Sequence, residues 1–214
     1  MRENLGVLQR ILEIGIVPII RTKSADDALK VAEAINKGGV KILEVTMTVP
    51  NAISVIEKVT REFSEVLLGA GTVLDAETAR ASMLAGAKFV VTPCLNPDVI
   101  RICRRYSIPV IPGTMTPTEI LTAWESGADL VKVFPVDSIG GPKYIKAVKA
   151  PLPQVGLVPT GGVTLENTPE FIRAGADAVA VGTSLVDSKA VAEGKFDLIA
   201  ENARKFVEAV RSAR

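Results

Sequence analysis

Short apolar runs recur along the chain at nearly regular intervals, with starts 20 to 26 residues apart. Most of them are rich in Val and Ile and are apolar at successive positions, as parallel strands covered by helices must be. The runs are residues 17–21, 42–47, 66–73, 89–93, 109–114, 130–135, 156–162 and 178–186. We interpret them as eight buried parallel strands.

The segments between these runs have helical periodicity and carry helix-boundary residues. Ser24 with Asp27, and Thr116 with Glu119, are typical of an N-cap followed by an acid at the third helical position. Glycines stand where several of these helices should end. The chain therefore alternates strand and helix throughout, which predicts an α/β fold.

This alternation predicts a single (β/α)8 TIM barrel, with residues 1–214 forming one domain. No Pro- or Ser-rich linker divides the sequence. A doubly wound open sheet is the alternative, but eight near-equal units in so short a chain favour closure. Residues 4–13 predict an additional N-terminal helix, and residues 196–210 predict the closing helix.

A finer repeat precedes the even-numbered strands, where Gly-Val or Gly-Ala introduces each run. Aligning the four copies gives four equivalent positions: Glu44, Val91, Lys132 and Ala180. Their sequence neighbours are mostly Leu and Val, which should face the helices, so the four should point into the barrel. Barrel interiors are filled by layers of four side chains from alternate strands. We therefore predict that Glu44 and Lys132 share one interior layer.

Composition and charge exclude several classes of function. The 214 residues include 25 Lys and Arg against 24 Asp and Glu, for a formal net charge of +1. This balance gives no reason to expect a nucleic acid or an anionic membrane as a partner, and no apolar run approaches the ~20 residues of a membrane span. Two cysteines are too few for a disulfide scaffold, so a cytoplasmic protein is expected. The absence of histidine excludes Ser–His and Cys–His nucleophile pairs and His-ligated zinc.

The interior pair indicates imine chemistry. Apolar neighbours disfavour the charged form of Lys132 and lower its pKa, and the neutral amine can attack a ketone to form a Schiff base. The iminium then withdraws electrons from the neighbouring carbon–carbon bond. In a chain without histidine, Glu44 is the group available to move protons. A buried structural ion pair is the alternative interpretation of the same two residues.

Residues beyond this layer predict a substrate cavity at the carboxyl ends of the strands, where barrels place their functional groups. The next inward positions are Thr46, Pro93, Phe134 and Gly182. Glycine-bearing turns follow the seventh and eighth strands, the usual phosphate site of this fold. Ordinary strand-to-helix turns are the alternative. The phosphate-binding residues predicted on these turns are Gly161, Gly162, Gly182, Thr183 and Ser184.

Two further residues are candidates for holding an anionic part of the substrate. Arg21 ends the first strand, and Thr72 follows the third strand in a Gly-Ala-Gly-Thr segment. Thr72 could present its hydroxyl to a carboxylate. An arginine paired with a surface carboxylate at the rim is an equally good interpretation of Arg21.

With these residues in place, the chain resembles the 2-keto-3-deoxy-6-phosphogluconate (KDPG) aldolase family, which includes the 4-hydroxy-2-oxoglutarate (KHG) aldolases. The resemblance covers essentially the full length, and its ordered set of motifs is highly specific. The motifs are Leu-Glu-Val-Thr at 43–46, Gly-Ala-Gly-Thr-Val at 69–73, Val-Thr-Pro at 91–93, Ile-Pro-Gly at 111–113, Val-Lys-Val-Phe-Pro at 131–135, Pro-Thr-Gly-Gly-Val at 159–163 and Gly-Thr-Ser at 182–184.

The resemblance implies a class I aldolase, a lyase that splits KDPG into pyruvate and glyceraldehyde 3-phosphate. It implies that Lys132 forms the imine and that Glu44 shuttles protons through a bound water. Thr72 would bind the pyruvate carboxylate, Phe134 would pack against the pyruvate carbons, and Thr160 would contact the substrate hydroxyl. Such enzymes are typically homotrimers that act on a small phosphosugar acid and need no metal or other cofactor.

One position departs from the family pattern. Many members carry an arginine four residues after the catalytic glutamate, where this chain has Thr48. Arg21 is the candidate replacement for holding the carboxylate. The sequence leaves open the stereochemical preference at C4, the need for phosphate, and whether KHG is also cleaved, to pyruvate and glyoxylate.

Three other functions compete with the aldolase. A phosphosugar isomerase or epimerase would use Glu44 as a base without a covalent intermediate. A metal-dependent aldolase would need an inward cluster of carboxylates, which the sequence does not indicate. A binding protein on a silent barrel would be expected to have lost an interior charge or the phosphate turns.

Overall fold

Parallel strands form the inner wall of a barrel in the computed structural model, which describes the backbone of residues 2–214 and the side chains from residue 5 onward. Every strand residue is buried, because one face meets the barrel interior and the other meets the helices. The strands are β1 (Ile16–Ile20), β2 (Ile42–Thr46), β3 (Leu67–Gly71), β4 (Phe89–Val91), β5 (Val110–Ile111), β6 (Gly113–Thr114), β7 (Val131–Val133), β8 (Leu157–Pro159) and β9 (Val179–Val181).

The predicted fifth strand is split into β5 and β6 at Pro112. Proline has no N–H to donate to a ladder. β5 pairs with β4, whereas β6 pairs with β7, so the break divides the wall into a six-stranded and a three-stranded sheet. The single strand expected over residues 109–114 therefore serves as a corner between two sheets.

The wall closes into a barrel at a second junction. The sheet orders are β5-β4-β3-β2-β1-β9 and β6-β7-β8, and all pairs are parallel. A parallel bridge between Thr160 and Ala180 joins the end of β8 to β9. The predicted barrel is confirmed, and the doubly wound sheet is wrong.

Helices cover the outside of the barrel and present apolar faces to it. They are α1 (Arg2–Ile14), α2 (Ala25–Lys37), α3 (Ala52–Glu62), α4 (Ala76–Leu84), α5 (Pro97–Arg105), α6 (Pro117–Glu125), α7 (Pro142–Lys149), α8 (Thr168–Arg173), α9 (Ser188–Ala192) and α10 (Phe196–Ala213). The predicted N-terminal and closing helices correspond to α1 and α10. Among the described residues, no helix combines the length and the apolar character that a membrane crossing requires.

The helix starts follow the sequence signals. The Ser24 hydroxyl accepts the Asp27 N–H at 3.1 Å, and Thr116 with Glu119 forms a capping box at the start of α6. In that box the Thr116 N–H donates to Glu119 Oε2 at 2.8 Å. These caps fix where the loops leave the strands, and thereby where the site residues at the loop bases lie.

Candidate active site

An interior layer of the barrel holds the predicted quartet. Glu44 on β2, Val91 on β4, Lys132 on β7 and Ala180 on β9 all line one void of about 10 Å³ inside the wall. Thr160 borders the same void. The sequence register therefore identified the inward-facing side of these strands.

Lys132 is almost completely enclosed, with 5% of its surface exposed. Its backbone is fixed on both sides: its N–H donates to Pro112 O at 2.9 Å, and the Thr114 hydroxyl donates to its carbonyl at 2.8 Å. Nζ lies 4.9 Å from the centroid of the Phe134 ring. Burial lowers the pKa of Lys132, opposed by the nearby carboxyl of Glu44 and assisted by the charge of Arg21. The structure thus favours a neutral, nucleophilic amine.

Glu44 lies beneath the surface of the same interior, 1% exposed. Its Oε2 has no hydrogen-bond partner among the described residues, and its Oε1 occupies the space where a Cβ on Gly71 would be. Burial raises the pKa of Glu44, while the charges of Lys132 and Arg21 oppose that rise. A carboxyl group with an unused oxygen and a raised pKa is suited to giving and taking a proton.

The pair is not a structural ion pair. Within the described residues, Lys132 and Glu44 form neither an ion pair nor a hydrogen bond with one another. Burial favours the neutral form of each. The alternative interpretation from the sequence, a buried salt bridge, is therefore wrong for this structure.

A cavity of about 200 Å³ opens above Lys132 at the carboxyl ends of the strands. Nine of the residues that the sequence proposed for the site line it. They are Arg21, Lys132, Phe134, Thr160, Gly161, Gly162, Gly182, Thr183 and Ser184. The cavity lies where this class of barrel binds its ligands.

Three apolar lining residues had not been singled out from the sequence, namely Ile19, Val163 and Val186. Nothing distinguishes them there from the Val and Ile that fill the core. Ile19 lies two residues before Arg21 on the first strand, so period-2 alternation from Arg21 would have indicated it. Val163 ends the Pro-Thr-Gly-Gly-Val motif at 159–163 but was given no role, and no pattern points to Val186, which follows the second turn.

Four proposed site residues lie outside this lining: Glu44, which borders the interior void, and the three residues Thr46, Thr72 and Pro93. The Thr46 hydroxyl is within 3.1 Å of Ile20 O and 2.8 Å of the Thr48 hydroxyl. It is therefore already hydrogen-bonded within the wall. Thr72 follows β3 with a φ of 57°, and Pro93 is half-buried after β4. Their contact with substrate stays a prediction.

The two turns after β8 and β9 leave backbone amides unpaired beside the cavity. Gly161 and Gly162 have φ values of 88° and 69°, and a Cβ on Gly162 would overlap Asp137. Among the described residues, the backbone N–H groups of Gly162, Thr183 and Ser184 have no acceptor. Unpaired amides beside a cavity are the groups that a phosphate accepts from.

Arg21 lies in the loop after β1, exposed to solvent at the edge of the cavity. It forms no ion pair among the described residues. Its charge reaches both interior groups, because it lowers the pKa of Lys132 and opposes the raised pKa of Glu44. The alternative of an arginine paired with a surface carboxylate is not what this structure has.

A closed α/β barrel with a buried amine of lowered pKa, at a cavity at the carboxyl ends of the strands, is the arrangement expected of a class I, Schiff-base type of carbon–carbon lyase. The family model described as KDPG and KHG aldolase matches residues 7–202. The chain belongs to the KDPG and KHG aldolase family.

Individual relatives agree with this assignment. The chain is 33% identical over 206 residues to a 2-dehydro-3-deoxy-phosphogluconate aldolase of Treponema pallidum, covering 96% of this chain and 98% of the relative. It is 33% identical over 204 residues to a KHG/KDPG aldolase of Escherichia coli, covering 95% and 96%.

A solved structure of a KDPG aldolase from Legionella pneumophila is also similar. It holds pyruvate captured at low pH as a covalent carbinolamine intermediate. The identity is 31%, the TM-score is 0.86, and the match covers 92% of this chain and 96% of that one.

Proposed function

We propose that this chain cleaves KDPG to pyruvate and glyceraldehyde 3-phosphate through an imine on Lys132. The observation that carries the proposal is the position of this amine, 5% exposed at the floor of the cavity and beside the unpartnered carboxyl of Glu44. A lysine amine in water is protonated at neutral pH, so its removal from water is what makes it a nucleophile.

The reaction follows from these two groups. Nζ of Lys132 adds to the C2 carbonyl of the keto acid, and loss of water leaves an iminium. Removal of the C4 hydroxyl proton lets the C3–C4 bond break: its electron pair forms an enamine, and C4 leaves as the aldehyde. Protonation of C3 and addition of water then release pyruvate and the free amine. Glu44 takes up and returns these protons.

The two ends of the substrate are assigned to different parts of the cavity. Its phosphate accepts hydrogen bonds from the turns that carry Gly161, Gly162 and Ser184, supported by their unpaired amides. Its carboxylate is held by Arg21, which takes the place of the arginine that Thr48 replaces, with Thr72 as a further donor. Thr160 lies between the two ends and contacts the C4 hydroxyl.

Cleavage of KHG is proposed as a second activity of the same site. The Escherichia coli relative carries both activities in its name. KHG has the same keto acid end but a carboxylate instead of the phosphate-bearing end, so it needs Lys132, Glu44 and Arg21 and depends less on the phosphate turns. Its cleavage yields pyruvate and glyoxylate.

A homotrimer in the cytoplasm is the proposed setting of the enzyme. Both follow from the family resemblance, together with the balanced charge and the small number of cysteines. Trp124 on α6 is 41% exposed and offers apolar surface for a contact between subunits. Light scattering on the purified protein measures the assembly directly.

Borohydride trapping tests the proposed function. Incubation with pyruvate and borohydride should inactivate the enzyme and leave a reduced pyruvyl group on Lys132, located by peptide mass spectrometry. Lys132→Gln should take up no label, whereas Lys146→Gln, which changes an exposed lysine on α7, should be labelled like the wild type. An adduct on another lysine would overturn the assignment of Lys132, and the absence of any adduct would favour chemistry without a covalent intermediate.

A further inference from the structure

A second cavity, of about 300 Å³, lies beside the catalytic cavity on the same face of the barrel. It lies between the loop after β1 and the segment that runs from β9 into α9. Arg21 and Val186 line both cavities. The two spaces are therefore neighbours that share one arginine.

Three of the nine residues that line this second cavity are cationic. Its charged lining residues are Arg21, Lys23 and Lys189, against the one carboxylate of Asp27. Within the described residues, Arg21 and Lys23 form no ion pair, and Lys189 reaches only Glu193, with 4.0 Å between Nζ and Oε1. The lining thus carries three cations against one carboxylate, and Glu193, outside the lining, lies near one of these cations, Lys189.

The one carboxylate in the lining already accepts a hydrogen bond from within the chain. Asp27 Oδ2 accepts the Ser24 hydroxyl at 2.7 Å, which holds it in the cap of α2. Ser188, at the first position of α9, adds a hydroxyl to the lining. A concave surface with an excess of positive charge and a hydroxyl donor is suited to a phosphate group, which carries ≈ −1.5 to −2 at neutral pH.

We propose that this second cavity binds a small phosphate-bearing molecule other than the substrate being cleaved. The proposal rests on the proposed function only in assigning the substrate's own phosphate to the turns after β8 and β9. Those turns line the catalytic cavity and not the second one. A phosphate at the second cavity attracts the guanidinium of Arg21, which then holds the keto acid carboxylate less well. Occupancy therefore raises the KM for the keto acid.

Calorimetric titration with inorganic phosphate at low ionic strength tests for binding at the second cavity. The purified protein is used in whatever oligomeric state it has in solution. The wild type should bind two phosphates per chain, one on the turns and one in the second cavity. The variant Lys23→Gln/Lys189→Gln should lose one of them, or bind it roughly tenfold more weakly. The control Lys58→Gln/Lys205→Gln removes equal charge from exposed helix positions outside both cavities and should still bind two.

A second arm separates the sources of phosphate. If the pocket accepts organic phosphates, Lys23→Gln/Lys189→Gln should also have one fewer binding site for glycerol phosphate. If the variant loses a site for inorganic phosphate only, the free ion is the ligand of the pocket. Either result supports the site. Equal binding to wild type and variant overturns it, as does a single phosphate per wild-type chain.

Kinetics in phosphate-free buffer complete the test. The double variant should cleave KDPG with an unchanged KM, and added phosphate should raise that KM less than it does in the wild type. A KM raised in the absence of phosphate would mean that the second cavity holds the substrate, which overturns the inference. Failure of the imine mechanism would appear instead in the trapping at Lys132, which this titration does not use.

Discussion

The carboxyl group of Glu44 lies in the space that any side chain at Gly71 would need. A Cβ built on Gly71 overlaps Oε1 of Glu44, across the pairing of β2 with β3. The glycine of the Gly-Ala-Gly-Thr segment is therefore required because the proton-carrying group lies directly against the neighbouring strand. This contact couples a backbone position to the chemistry.

Gly71→Ala should displace the Glu44 carboxyl and lower kcat by about 100-fold, the lower range of a general acid–base contribution. Overpacking should also lower the free energy of unfolding by ~1–3 kcal/mol. Steady-state kinetics and urea unfolding measure the two effects. Gly6→Ala is the matched control, because a Cβ at that helical position meets no atom within 4 Å. Unchanged kcat in Gly71→Ala would remove Glu44 from the mechanism.

The two interior groups should make opposite contributions to the pH dependence of stability. Because the pKa of Lys132 is lowered below 10.5, the unfolded chain binds more protons at this residue between the folded pKa and 10.5. Stability therefore rises with pH in that window. The free energy of unfolding of the wild type relative to Lys132→Met should increase from neutral to alkaline pH.

Glu44→Gln supplies the counterpart. The pKa of Glu44 is raised above 4.5, so the folded state keeps a proton that the unfolded chain releases. Stability falls as pH rises through that window, and Glu44→Gln should remove this decline. Denaturant unfolding at a series of pH values measures both variants. Parallel profiles for the wild type and the two variants would contradict the burial effects argued for the pair.

Replacing Gly182 should leave the fold intact but weaken substrate binding. Its φ is not positive and a Cβ there meets no atom within 4 Å, yet it lines the catalytic cavity. Gly182→Ala should keep its melting temperature and raise the KM for KDPG by about fivefold or more, as a methyl group intrudes on the phosphate site.

Gly162→Ala is the informative contrast to that substitution. With a φ of 69° and a Cβ that would overlap Asp137, it should destabilise the protein as well as weaken binding. Differential scanning calorimetry distinguishes the two variants. Equal destabilisation in both would show that Gly182 has a structural requirement that its surroundings do not reveal.

Substitutions of Arg21 and Ser184 should distinguish binding of the carboxylate end of the substrate from binding of its phosphate end. Arg21→Ala should raise the KM for both KDPG and KHG by about tenfold or more, because both have the carboxylate and a charge-assisted hydrogen bond is lost. Ser184→Ala should raise the KM for KDPG more than the KM for KHG. Adding Thr48→Arg to Arg21→Ala should recover part of the loss. An unchanged KM for KHG in Arg21→Ala would mean that another residue holds the carboxylate.

The sequence predicted the wall of the barrel better than it predicted the cavity. Strand positions and the inward-facing quartet follow from alternation and from a fourfold repeat, and both depend only on local geometry. The split at Pro112 was not anticipated, although proline was visible in the run, because an apolar run does not show to which neighbour each half pairs.

Membership of the cavity depends on strand tilt and on competing hydrogen bonds, which spacing does not reveal. Thr46 was predicted from alternation alone, but its hydroxyl is hydrogen-bonded to Ile20 and Thr48 in the wall. Val163 and Val186 line the cavity although they look like core residues. The polar residues and glycines were identified because such residues are rare in a core. The valines were missed, since valine is common in a core.

The break at Pro112 and the lone bridge between Thr160 and Ala180 are the two joints of the barrel. Lys132 belongs to the short section between these joints, and Glu44 belongs to the long one. The imine forms on one section and its proton partner belongs to the other. The relative position of Lys132 and Glu44 therefore depends on the rigidity of the two junctions. A keto acid bound at both ends would connect the two sections. The enzyme without substrate should therefore show more motion at these junctions than the enzyme with substrate bound.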